Sequence, residues 1–132
     1  MLVCGGLSDG GVTPTPSLIN QIYKFITLNG YSVAIFVLIR PRAGDFIYSE
    51  EEYEQILADV RYIKEFCTFV AGIVIGCLTN AGDIDESKIQ GIISIAGSLE
   101  ITFHRAFDVS KELGDAMKLI YFNYPRITRI LT

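Results

Sequence analysis

The chain has 132 residues, half of them hydrophobic, and a formal charge of −4. That material suits one globular domain across residues 1–132 with a sizeable core. No Lys/Arg cluster is present, so nucleic acid and membrane are not expected partners, and no apolar run reaches the roughly 18 residues of a membrane span.

Met1-Leu2-Val3-Cys4 lacks the basic region and long apolar stretch of a signal peptide. Cys4, Cys67 and Cys77 are too few and too scattered for a disulfide framework. A reducing cytoplasm is the expected compartment, with the nucleus also open to such a chain.

Met1 to Cys4 reads as the end of a strand running into the glycine-rich loop Gly5 to Gly11. No Gly-Lys-Ser/Thr follows, so the glycines permit a tight turn rather than form a phosphate loop. Thr15 and Pro16 then suit the N-cap and first position of a helix, and Asn29-Gly30 ends it. Leu18, Ile19, Ile22, Phe25 and Ile26 form its apolar face, down to Leu28.

Val33 to Ile39 is continuously apolar, as expected for a parallel strand covered on both sides, and it runs into Arg40-Pro41-Arg42-Ala43-Gly44-Asp45. Ser49 and Glu52 make a capping box for a helix carrying Tyr53, Ile56, Leu57, Val60, Ile63 and Phe66. Glu50 to Glu52 therefore mark a helix start, not a metal site. Phe69 to Cys77 is the next buried strand, where Gly72 and Gly76 allow neighbours to approach closely. A helix over 85–96 follows.

Leu99, Ile101 and Phe103 then alternate with Glu100, Thr102 and His104, the period of a strand. This strand delivers His104, Arg105 and Asp108 at its C-terminal end. A helix over 111–121, weakened by Gly114 and broken at Tyr124-Pro125, and a strand over 127–132 complete the chain.

Strict alternation of strand and helix implies an α/β fold with right-handed crossovers and a parallel sheet. No Gly-x-Gly-x-x-Gly follows a strand, so no nucleotide cofactor is indicated. Units of roughly 30 residues with ionisable groups at each strand end suit a (β/α)8 TIM barrel. Such a barrel needs about 250 residues, so the expectation is a partial barrel, a fragment truncated at both ends.

Five blocks carry a family resemblance: Cys4-Gly-Gly-Leu-Ser-Asp-Gly-Gly-Val-Thr-Pro14, Ile39-Arg-Pro-Arg-Ala-Gly-Asp-Phe-Ile-Tyr-Ser49, Val74-Ile-Gly-Cys-Leu-Thr79, Thr102-Phe-His-Arg-Ala-Phe-Asp108 and Arg129-Ile-Leu-Thr132. Together they resemble the CutC copper homeostasis family, in the family's order along the whole chain. Ala43-Gly44-Asp45 stands where the family usually has glycine-glycine-aspartate. The resemblance implies a cytosolic TIM barrel, homo-oligomeric when full length, of which this chain covers the end of the second strand through most of the sixth. It also implies a link to Cu(I) through cysteines near the first strands, one of which matches Cys4.

The candidate residues carry alternatives. Cys4 is a Cu(I) ligand or reactive thiol, or a small buried hydrophobe. Cys77 also ends a strand and would face the same mouth as a soft ligand, or pack in the core. Cys67, at the end of the 50–66 helix, is structural. His104 shares parity with Thr102, which places it inside the barrel near its top. There it serves as general acid/base, metal ligand or hydrogen-bonded core histidine. Arg40, Arg42 and Arg105 would converge on a carboxylate or phosphate, or form a salt-bridge network with Asp45 and Asp108.

Two functions follow. One is a Cu(I)-binding homeostasis protein using Cys4, with Cys77 or His104 as further ligands. The other is a barrel enzyme acting on a small anionic metabolite, with the arginines holding the anion and His104, Asp108 or Asp45 moving protons. A third outcome is an incomplete product without activity, whose open parallel edges invite association.

Overall fold

Among the described residues, five parallel strands stand in the order in which the chain makes them. The computed structural model describes residues 1–104, 106 and 113–131. The elements are β1 (Leu2–Val3), a 3-10 turn at Leu7–Asp9, α1 (Pro16–Leu28), β2 (Phe36–Leu38), α2 (Glu50–Phe66), β3 (Gly72–Ile75), α3 (Glu86–Ala96), β4 (Glu100–Phe103), α4 (Leu113–Asn123) and β5 (Ile127–Ile130). Each strand pairs with the next, with no reversal of order. Right-handed crossovers that always step the same way put every helix on one face. That is a partial TIM barrel, and it lacks the switch point of a doubly wound sheet.

Register sorts the side chains into two faces. Val37, Ile73 and Ile101 align, as do Ile75 and Phe103. These residues belong to the continuous core beneath the helices, together with Ile56, Val60, Ile89 and Ile92. The alternate positions Leu38, Val74, Thr102 and Arg129 align on the other face, the side a barrel encloses. One step further along the strands, this inner face carries Arg40, Gly76 and His104. A Cβ at Gly76 would lie 2.7 Å from His104 Nδ1 and 2.8 Å from Ala106 Cβ, so only glycine admits the imidazole beside it.

The helix boundaries follow local chemistry. Thr15 accepts from the Leu18 N–H at 3.2 Å with Pro16 opening α1, and Gly30 after the helix takes φ 68°. Ser49 and Glu52 form the reciprocal capping box of α2, and Asp85 caps α3 by accepting from Lys88 N–H. Ser49→Ala removes one arm of that box and is expected to cost about 1 kcal/mol, read as a shift in urea midpoint without a change in slope.

Some apolar residues stay outside. Ile19 and Ile26 are buried with Ile22 packed against them, whereas Phe25 and Leu28 are exposed. The helical stripe is wider than the ridge that meets the sheet. Phe66 and Val33 are exposed for the same kind of reason, beyond the last turn of α2 that reaches the core and ahead of β2. The start of the last predicted helix, at 111–112, falls outside the described residues.

Candidate functional site at the C-terminal mouth

Arg40 leaves β2 on the inner face and turns into the mouth, 8% exposed. Its Nη1 donates to the carbonyls of Gly11 at 2.8 Å and Asp9 at 3.2 Å, and its Nη2 to Gly44 at 2.8 Å. Gly10 and Gly11 take φ of 81° and 93°, which turns the loop after β1 onto the guanidinium. The Arg40 N–H also donates to Thr13 Oγ1 at 2.8 Å. One fork thus ties the β1 loop to the β2 loop. The glycine-rich loop is the expected tight turn.

His104 follows β4, 4% exposed. Its Nδ1 accepts from the Ala106 N–H at 3.1 Å, and its ring centroid lies 4.9 Å from that of Phe46. Burial first, and the Arg40 charge second, push its pKa down to about 3. The ring is therefore neutral near pH 7, and because Nδ1 accepts, the proton sits on Nε2. His104 is a hydrogen-bond donor into the mouth.

Arg42 does not converge with Arg40. Its Nε pairs with Glu52, and its Nη2 reaches Asp45 Oδ1 at 2.9 Å and Ile47 O at 2.7 Å. The Asp45 carboxylate also accepts from Ile47 N–H, so both carboxyls hold their loop and helix start in place. Hydrogen bonds from Arg42 first, then Ile47 N–H, hold Asp45 below the usual range. The Arg42 side chain is 37% exposed and that of Asp45 64%, so this is a surface network and not a buried one. Arg105 and Asp108, the remaining expected partners, lie outside the described residues.

The thiols separate. Cys4 is half-buried at the end of β1 beside Gly11. Cys77 is 1% exposed and shares strand parity with Ile73 and Ile75, so it faces the helices, not the mouth. Burial first, then Asp85, push its thiol up to about 12. Of the two readings of Cys77, core packing holds, and its place among the mouth ligands is corrected by that parity: a strand apolar on both faces hides which way its last side chain points. Cys67 is buried at the end of α2, as expected. Among the described residues, no three His, Cys, Asp or Glu side chains stand together to hold a metal ion.

Two mouth residues escaped the sequence reading. Phe46 stacks its ring 5.2 Å from the Arg40 guanidinium carbon and against His104, and Tyr48 is buried beneath Arg42 at 5.2 Å. Both sit in the Ile39-to-Ser49 block, which was the available signal.

The sequence profile of the CutC family matches residues 1–132. The chain belongs to the CutC family. Its curated relatives include a copper homeostasis protein cutC homolog of Dictyostelium discoideum, 37% identical over 113 residues, or 83% of this chain and 40% of that protein. The human copper homeostasis protein cutC homolog is 39% identical over 107 residues, covering 81% and 37%. A family protein CutC of Pasteurella multocida is 43% identical over 110 residues, covering 83% and 42%. The chain spans less than half the length of these relatives. The putative copper homeostasis protein CutC from Streptococcus agalactiae has the same fold, with a TM-score of 0.75, 22% identity, and coverage of 98% of this chain and 75% of that one.

Proposed function

We propose that this CutC-family chain forms part of a barrel serving copper homeostasis, with Cys4 as the residue that meets Cu(I). The observation behind this reading is the contrast among the three thiols. Cys4 alone is partly open, at a strand end on the mouth side, while Cys67 and Cys77 are buried. A thiolate is the soft donor Cu(I) selects, and the names of the Dictyostelium and human relatives point to copper. Burial disfavours the thiolate form at Cys77 and leaves it a core residue. His104 is not preset as a second ligand, because Nδ1 accepts from Ala106 and Nε2 carries the proton.

An enzyme that uses His104 as acid/base draws less support. A neutral ring with its basic nitrogen already engaged is a poor proton acceptor. Asp45, paired with Arg42, is no better placed to replace it.

An anaerobic Cu(I) titration against a competing chelator tests the proposal. The expected result is a stoichiometric complex that Cys4→Ser weakens roughly tenfold or more and Cys77→Ser leaves unchanged. Equal competition by wild type and Cys4→Ser would overturn it.

A further inference from the structure

Three polar side-chain atoms in the mouth are buried and have no hydrogen-bond partner among the described residues: Arg40 Nε, Tyr48 Oη and His104 Nε2. All three residues are more than nine-tenths buried. They come from the end of β2, the loop after it and the end of β4, yet they are neighbours. The Phe46 ring lies 5.2 Å from the Arg40 guanidinium carbon and packs on the His104 ring at 4.9 Å. The Arg40 charge acts on both the Tyr48 hydroxyl and the His104 imidazole.

All three present a donor. Arg40 Nε–H is one, the Tyr48 O–H another, and His104 Nε2–H the third, since its Nδ1 already accepts. Arg40 forms no ion pair among the described residues, and its other guanidinium nitrogens are taken up by carbonyls. Three carbonyls hold the two Nη groups and Nε–H is left over, so a buried cation with a spare donor lies near two further neutral donors. That is complementary to negative charge, and unmade buried donors are costly.

We propose that Arg40, Tyr48 and His104 form a donor pocket that seats one anionic oxygen of a small carboxylate or phosphate compound. The neutral His104 matters here, because it donates without adding a second positive charge beside Arg40. Charge-assisted donors of this kind bind such oxygens strongly. The body of the ligand has a place to lie: Phe46 also lines a cavity of about 450 Å³ with Asp45, Leu78 and Asn80, between the loops after β2 and β3. Phe46 joins the two places, because the ring that lines this cavity is also the one packed against Arg40 and His104. This site is separate from the copper reading, which rests on Cys4.

The single histidine makes the test direct, since its ring resonances need no assignment. Inorganic phosphate and malonate are titrated separately into the full chain at pH 7.5, against sodium chloride at matched ionic strength, with the His104 ring signals followed by NMR. The expected result is a saturable shift with phosphate, malonate or both, and none with chloride. The anion that saturates first identifies the phosphate or carboxylate source. Tyr48→Phe keeps the ring and should raise the midpoint about tenfold. Ring signals that stay fixed up to roughly 100 mM of both anions, or equal midpoints in wild type and Tyr48→Phe, would overturn the proposal.

Discussion

Acidifying the protein from pH 7 to pH 4 is expected to weaken the fold by about 3 kcal/mol, and His104→Gln is expected to remove most of that loss. In the unfolded chain a histidine titrates near 6.5. In the folded chain burial, and then Arg40, push His104 down to about 3. Between these values the unfolded state binds a proton that the folded state refuses, so stability falls as pH falls. The contribution is complete above about pH 6.5 and is gone once pH drops through the folded value. Asp45 and Glu52, both held below the usual carboxylate range, act in the same direction but lower on the pH scale. Asp59 opposes them, because burial raises its pKa. Urea midpoints taken at unit intervals from pH 7 to pH 4 separate these terms. If wild type and His104→Gln lose stability in parallel, His104 is not held neutral in the core.

The sheet and helices were legible because their signals are local. A Thr-Pro start, an Asn-Gly stop and a Ser-to-Glu box act within one turn of the helices they bound, and apolar runs between them have nowhere to go but the core. His104 was placed on the inner face by alternation with Ile101 and Phe103, and the structure keeps it there. The same rule read nothing from Phe69 to Cys77, where both faces are apolar and only the tertiary arrangement shows that Cys77 looks outward. The arginine block was legible in part: the Arg42–Asp45 pair is one of the two arrangements expected of it, while the other contacts were hidden. Arg40 is held by backbone carbonyls, which leave no trace in side-chain identity, and Arg42 finds its partner in a carboxylate already committed to a helix cap. Residue type announced cations at a strand end, but which acceptors they met depended on loop geometry.

Arg40→Met is expected to destabilise the protein by roughly 3–5 kcal/mol, with the damage centred on the two loops it joins. Methionine keeps much of the apolar stem, so the change isolates the guanidinium. Its loss leaves the carbonyls of Asp9, Gly11 and Gly44 without their donor in a poorly solvated place. Each is a bond to a charged group, the strong class, and each unsatisfied carbonyl costs about 1–3 kcal/mol. Arg40→Lys should recover only part of the loss, because one ammonium lacks the planar fork that spans both loops. Thermal unfolding gives the global effect, and hydrogen exchange at Thr13, whose N–H donates to Arg40 O at 2.9 Å, reports the local one. A change within about 0.5 kcal/mol of wild type would show that the carbonyls find water and that the loops stand without the staple. A large loss with fast exchange at Thr13 would show instead that the arginine closing the mouth also holds the β1 loop, and with it Cys4, in place.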